Sequence, residues 1–168
     1  MRHIVGFIDW LFGKQRKAKA PAFVVAQNLL YQPDEVLRER VTDIEAFGGY
    51  LKEIYAVAEE YWAGKPEGPG QALTIVAAVK PGGRTRFWLD SSLGKLNPAV
   101  AQPLIHRLQE LPVPAVRQGP VAFAIQGVLW GGAPGGGGWA FVPTEWQERC
   151  HGRNLVVPDG FLELVWPD

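Results

Sequence analysis

Two residues of this 168-residue chain have the types and spacing of a nucleophile and its base. Ser92 and Lys95 form a Ser-x-x-Lys pattern, which can place a lysine amine beside a serine hydroxyl when both lie on one helix. Here Gly94 lies between them, and the pattern that predicts a helix begins only at Asn97. No Lys-Thr-Gly sequence follows. We therefore interpret Ser92 and Lys95 as part of a loop.

The single cysteine, Cys150, is followed by His151, so a thiol and an imidazole are adjacent in sequence. Adjacent side chains project in different directions, and a thiol–imidazole pair would instead draw on His106 or His3. One cysteine and three scattered histidines also lack the ligand spacing of a zinc site. We therefore predict no catalytic residue, no cofactor and no metal. A small hydrolase or transferase that uses Cys150 is the alternative hypothesis.

A basic and aromatic strip is formed by Arg84, Arg86 and Trp88, which alternate along one segment. Such a strip can stack bases and neutralise phosphates. However, 17 basic and 17 acidic residues give zero net charge, so no global field favours nucleic acid. Because Trp and Arg are enriched at binding hot spots, we predict that the strip contacts another protein. Trp130 and Trp139 are further candidates for this contact.

The strip belongs to a predicted β-hairpin that spans residues 73–90. Its first arm, residues 73–79, alternates apolar side chains, and Pro81 with two following glycines favours a tight turn. A third strand is predicted at residues 120–126. Because an isolated hairpin is only marginally stable, helices must cover one of its faces. We expect the opposite face to be free for a partner.

Two helices are predicted to cover this sheet. Apolar residues recur at steps of three and four through residues 34–63, where Gly48 and Gly49 would mark a kink or a break. A second helix is predicted over residues 98–111, with Pro103 inside its pattern. The prediction is an α+β fold with an αββαβ core, in which a small antiparallel sheet packs on both helices.

The remaining segments lie at the two ends of the chain. Residues 1–30 are predicted to be an amphipathic segment and lead-in, before a single domain over residues 31–168. Residues 21–32 fit either a short strand or an extended lead-in. The domain has a core (31–130), a glycine-rich loop (131–138) and a C-terminal extension (139–168) that ends in a β-hairpin. In the extension, Thr144 and Gln147 match a capping box that opens a short helix, and residues 155–157 and 161–166 are predicted to be the two arms of the hairpin. Residues 4–19 combine an apolar stretch with a basic cluster, which fits either a helix docked on the domain or a membrane-surface anchor. The order of charge and apolar residues is the reverse of a secretory signal, so we expect a cytoplasmic location.

Residues 34–130 resemble the C-terminal domains of TonB and TolA, the periplasmic energy-coupling proteins. The resemblance lies in the strand 73–79, the Pro-Gly-Gly reversal, the sequence Asp-Ser-Ser-Leu-Gly-Lys-Leu-Asn-Pro at residues 90–98, and the Pro-rich return to a last strand at residues 112–125. It implies an αββαβ topology and an edge strand offered to a partner. The chain shows no spanning helix and no Pro-rich spacer, and it continues beyond Trp139. We therefore do not infer from this resemblance that the chain takes part in energy coupling.

Taken together, these patterns predict a non-catalytic, cytoplasmic protein-interaction domain. An adaptor and a toxin-neutralising immunity-type protein both fit a small, neutral, single-domain chain rich in aromatic residues. The alternatives are the cysteine-dependent enzyme described above and a membrane-peripheral scaffold anchored through residues 4–19. The sequence leaves the partner's identity and the oligomeric state open.

Overall fold

The computed structural model describes residues 20–132, 143–150 and 159–168. This part of the chain forms a four-stranded antiparallel sheet and five helices, which confirms the α+β class. The elements in chain order are β1 (Phe23–Leu30), α1 (Asp34–Arg40), α2 (Ile44–Ala63), β2 (Gln71–Lys80), β3 (Arg84–Ser91), α3 (Pro98–Gln109), β4 (Val121–Leu129), α4 (Thr144–Cys150) and α5 (Asp159–Val165).

The strands are arranged in the order β1-β4-β2-β3, so β1 and β3 lie at the two edges. The hairpin predicted at residues 73–90 is present as β2 and β3, which pair from Leu73 opposite Ser91 to Lys80 opposite Arg84. The strand predicted at residues 120–126 is present as β4 and extends to Leu129. The two central strands are almost entirely buried, because helices cover both faces of the sheet.

β1 belongs to this sheet, so a domain boundary at residue 31 would separate a strand from its neighbour. A β-bulge between Val25 and Gln27 interrupts its register, which explains why no regular alternation identified the strand in the sequence. Gly127 lies opposite the bulge. A Cβ atom there would lie 2.3 Å from Cε2 of Phe23, so the glycine makes room for a buried ring at the start of β1.

The first face of the sheet is covered by α1, α2 and α3. The predicted helix at residues 34–63 is in fact two helices, and the break does not fall at Gly48 and Gly49. Val41 instead forms an isolated bridge with Val116, and the Asp43 side chain caps α2 by accepting a hydrogen bond from the Ala46 amide at 2.9 Å. The core on this face comprises residues from the sheet and the helices, among them Phe47, Tyr50, Ile54, Tyr61, Leu73, Ile75, Val79, Phe87, Leu104, Leu108, Phe123 and Ile125.

The α3 helix begins at Pro98, as its sequence predicts, with the Asn97 side chain accepting from the Ala99 amide at 2.9 Å. Pro103 lies inside the helix without ending it. Its missing N–H removes one helical hydrogen bond, and the burial of Leu104 and Leu108 against the sheet offsets that cost.

The second face is covered by α4 and α5, where Trp146, Phe161, Leu162 and Val165 pack on Val76, Ala78, Ala122 and Ala124. The predicted strand at residues 161–166 is therefore wrong, because residues 159–165 are helical. The other predicted arm, residues 155–157, lies outside the described residues. The predicted αββαβ arrangement and terminal hairpin are not confirmed, since β1 precedes the helices and α5 occupies residues 159–165. None of the helices in the described ranges has the length and hydrophobicity needed to cross a membrane.

Candidate functional site

The strip of Arg84, Arg86 and Trp88 does not lie on a free face. Trp88 is buried, with its ring centroid 5.0 Å from that of Trp146. Arg86 donates to the Glu145 carboxylate at 3.0 Å and to the Val165 carbonyl at 3.3 Å. The expectation of a free sheet face is therefore wrong. The strip instead holds α4 and α5 on the sheet. The sequence did not indicate this role, because residues 161–166 were expected to be a strand and not part of a helix.

Lys80 is the charged residue that sequence reasoning missed. Its side chain is only 2% exposed, and its ammonium group lies 2.9 Å from a Glu163 carboxylate oxygen and 3.1 Å from Asp168. It also donates to the Trp166 carbonyl at 2.7 Å and lies 5.0 Å from the centre of that ring. The hydrogen bonds from Arg84 and Lys80 hold the pKa of Asp168 below its usual value. The sequence signal that could have identified Lys80 is the alternation along β2, which places it on the same face as Val76 and Ala78.

The other two candidates for contact with a partner are Trp130, which the structure describes, and Trp139, which it does not. Trp130 is half-buried, with its ring 5.6 Å from that of Trp62 and against Gly68. It also lines a hollow of about 360 Å³ together with Pro21 and other residues at the end of α2. Trp139 and most of the glycine-rich loop lie outside the described residues.

The residues considered for catalysis are not assembled into a site in the described ranges. His106 is 77% exposed, and its Nε2 lies 3.5 Å from Glu110 on the same helix. The Ser92 hydroxyl accepts a hydrogen bond from the Ala72 amide at 2.9 Å, so it stabilises the end of the hairpin. Cys150 ends α4, but its side chain, like His151 and His3, lies outside the described residues. Within the described residues no group of three or more His, Cys, Asp or Glu could hold a metal ion.

A groove of about 340 Å³ runs along the outer edge of β3, between α3 and α4. This volume lies within the range of roughly 300–1,000 Å³ that is typical of ligand clefts. The floor of the groove is β3 itself, from Arg86 to Asp90. We call one side the α3 wall, formed by Leu96, Pro98, Ala101, Gln102, Ile105 and Gln109, and the other side the α4 wall, formed by Pro143, Thr144, Glu145 and Glu148.

The main-chain groups that face this groove follow from the hydrogen-bond pattern of the hairpin. The Ser92 amide donates to the Ala72 carbonyl at 2.9 Å, so Ser92 points its main chain toward β2. In an antiparallel pair the direction of these groups alternates from residue to residue. Thr85, Phe87 and Leu89 therefore point their N–H and C=O groups outward. No strand among the described residues pairs with them, since β3 is at the edge of the sheet.

The α4 wall is fixed to β3 by the carboxylate of Asp90. It accepts hydrogen bonds from the Thr144 amide at 2.6 Å and from the Thr144 hydroxyl at 3.3 Å. Burial raises the pKa of Asp90, and these hydrogen bonds only partly oppose the effect. The carboxyl group thus joins the edge strand to the first residue of α4, and the groove has a defined width at this point.

Comparison with protein-family models, with curated proteins and with solved structures gave no significant match. The class of protein therefore follows from the fold and the groove themselves. The described residues form an α+β domain in which helices cover both sheet faces and one edge strand forms the floor of an open groove.

Proposed function

We propose that this chain is a non-catalytic protein-interaction domain that binds an extended segment of another protein along the outer edge of β3. The observation that carries the proposal is the outward-facing main chain of Phe87 and Leu89 at the floor of the groove, which Thr85 continues along the same edge just beyond it. A partner segment that pairs there would add a fifth strand, and its main-chain hydrogen bonds would supply affinity. The resemblance to TonB and TolA domains implies the same use of an edge strand.

The β3 edge is well suited to binding because its side chains are packed on both faces. Phe87 and Leu89 pack in the core on the first face, and Trp88 packs against α4 on the second face. A strand held in this way loses little conformational freedom when a partner binds, which favours affinity.

The opposite edge of the sheet differs from β3 in a way that favours the β3 site. β1 carries a bulge between Val25 and Gln27, and proteins use such bulges to prevent unwanted pairing at sheet edges. Val24 and Leu30 are exposed on this strand, and neither of them lines the β3 groove or the hollow beside Trp130. We therefore assign binding to β3 rather than to β1.

An adaptor and an immunity-type protein both remain proposals for the role of this domain, since either could bind a partner through one groove. The cytoplasmic location, the cysteine-dependent enzyme and the membrane-peripheral scaffold stay predictions of the sequence. A thiol-reactivity assay on Cys150 and liposome flotation with and without residues 4–19 would test the last two.

The test of the proposed function is a selection of random 12-residue peptides on the full chain. Gln102 is exposed on the α3 wall, so Gln102→Trp fills the groove without disturbing the core. Ala56→Trp is the matched control, because Ala56 is exposed on α2, outside the groove. We expect selected peptides to bind wild type and Ala56→Trp equally, and Gln102→Trp at least tenfold more weakly.

Hydrogen exchange and peptide methylation then locate the bound segment. We expect the bound peptide to slow exchange of the Thr85, Phe87 and Leu89 amides. N-methylation of the peptide on alternate amides that face β3 should abolish binding, whereas methylation of the intervening amides should not. Failure to select any peptide, or equal binding to Gln102→Trp, would overturn the proposed function.

A further inference from the structure

The two walls of the groove differ in chemistry, and a bound strand would contact both of them. Successive side chains of a β-strand point to opposite faces of its sheet. In a strand added to β3, one set of side chains would therefore face the α3 wall and the alternate set would face the α4 wall. The composition of each wall thus determines the sequence pattern that the groove accepts.

The α3 wall is mainly apolar in its deeper part. Ala101 is buried, and Leu96 and Ile105 are half-buried, whereas Gln102 and Gln109 are exposed at the rim. An apolar side chain of a partner would cover the half-buried surface and lose contact with water. A charged side chain at the same place would lose hydration without an opposite charge on this wall.

The α4 wall carries an excess of negative charge. Glu145 already neutralises Arg86, with which it forms a 3.0 Å ion pair. Glu148 is exposed, lines the groove and forms no ion pair within the described parts of the chain. The other charged residues that line the groove are Asp90, which accepts hydrogen bonds from Thr144, and Lys95. Glu148 is thus the carboxylate left to bind a cation.

The length of the accepted segment follows from the two ends of the open edge. At one end the Gly94 amide donates to the Ser91 carbonyl at 3.1 Å, and at the other end Arg84 bonds to Asp168 at 2.5 Å. The outward groups between them belong to Thr85, Phe87 and Leu89, so about five residues of a partner pair with the edge.

We infer that the groove selects an extended partner segment of about five residues, in which apolar side chains facing the α3 wall alternate with basic side chains facing the α4 wall. This inference rests on the proposed function and names the class of partner for the same site. The partner is a protein with such an alternating segment in an exposed, extended region. Its lysine or arginine pairs with Glu148, and its apolar residues contact Leu96 and Ile105.

The test uses three synthetic peptides, Thr-Val-Lys-Val-Lys-Val-Thr and its counterparts with Glu or Ser in place of Lys. Binding to the full chain is measured by calorimetry at two salt concentrations. We expect the Lys peptide to bind at least tenfold more tightly than the Glu peptide, with the Ser peptide between them. High salt should weaken binding of the Lys peptide most, because it screens charge pairing at an exposed site.

Variants of the chain then identify the carboxylate that pairs with the lysine side chains of the peptide. Glu148→Gln should weaken binding of the Lys peptide several-fold and leave binding of the Ser peptide unchanged. Glu59→Gln is the matched control, since Glu59 is exposed on α2 away from the groove. Equal or tighter binding of the Glu peptide, or no effect of Glu148→Gln, would overturn the inference.

The outcomes also separate this inference from the proposed function. If the random selection yields groove-binding peptides without an apolar–basic alternation, the inference fails and the proposed function stands. If the selection yields no groove-binding peptide, the proposed function fails and the inference fails with it. A dimer that Gln102→Trp disrupts would assign the groove to a second copy of this chain and overturn the inference.

Discussion

The ammonium group of Lys80 lies 2.7 Å from the main-chain carbonyl oxygen of Trp166, 86 residues later in the chain. This hydrogen bond joins the end of β2 to the residues that follow α5. With the Arg86 bonds to Glu145 and Val165, it fixes both C-terminal helices on the second face of the sheet. The α4 wall of the groove therefore depends on contacts that begin at the hairpin.

Replacing Lys80 by Met should weaken the attachment of α5. Met fills most of the same volume but cannot donate to the Trp166 carbonyl, so we expect a loss of about 1–3 kcal/mol in the free energy of unfolding. The carboxylates of Glu163 and Asp168 are exposed enough to return to water, which limits the cost. Urea unfolding at neutral pH measures the effect. Lys52→Met, at an exposed position of α2, is the control, and equal stability of the two variants would contradict the assigned contact.

Replacing Trp146 by Ala should loosen the C-terminal helices more than the rest of the domain. The Trp146 ring is fully buried and lies 5.0 Å from the ring of Trp88 and 5.2 Å from that of Phe161. Removing it leaves a cavity, for which we expect a cost of about 3–5 kcal/mol. Hydrogen exchange should show faster exchange in α4 and α5 than in α2. Uniformly faster exchange across all helices would argue against a separate second core.

Gly127→Ala should destabilise the sheet by about 1–3 kcal/mol. The added methyl group would lie 2.3 Å from the Phe23 ring and 2.6 Å from the Val24 carbonyl oxygen, so β1 must shift away from β4. Gly49→Ala is the matched control because a Cβ atom there meets nothing within 4 Å. In the interior of α2 it should stabilise the protein by about 0.5–1 kcal/mol. Thermal unfolding measures both variants, and a stabilising Gly127→Ala would refute the packing of Phe23.

Asp90→Asn should change how stability depends on pH. Burial raises the pKa of Asp90 in the folded state, so the native protein binds this proton more tightly than the unfolded chain. In wild type, this group's contribution to stability is greatest at low pH and is lost as the pH rises from its unfolded pKa through the raised folded pKa. The asparagine variant retains a hydrogen-bond acceptor for Thr144 and does not titrate.

The measurement for this prediction is a series of urea unfolding curves between acidic and neutral pH. The stability of Asp90→Asn relative to wild type should rise across the titration window and then remain constant. A difference that stays constant from acidic to neutral pH, or that falls as the pH rises, would contradict the raised pKa.

Local patterns in the sequence were sufficient to predict the elements at the centre of the fold. The alternation from Leu73 to Val79, the turn at Pro81 and the cap at Asn97 each act over a few residues, and the structure has the hairpin and α3 at those places. The same local rules predicted a strand where the structure has α5. Phe161, Leu162 and Val165 lie on one side of a helix, and only their packing on the sheet selects that conformation.

The α+β class, the central hairpin and α3 could be predicted from the sequence, because they depend on the propensities and periodicities of neighbouring residues. Contacts between distant segments account for the pairing of β1 with β4, the helix break at Val41 and the hydrogen bond from Lys80 to Trp166. Such contacts also produce the groove at the β3 edge, between α3 and α4. The physical reason is that each of these features joins residues far apart in the chain, whose contacts leave no local pattern in either segment.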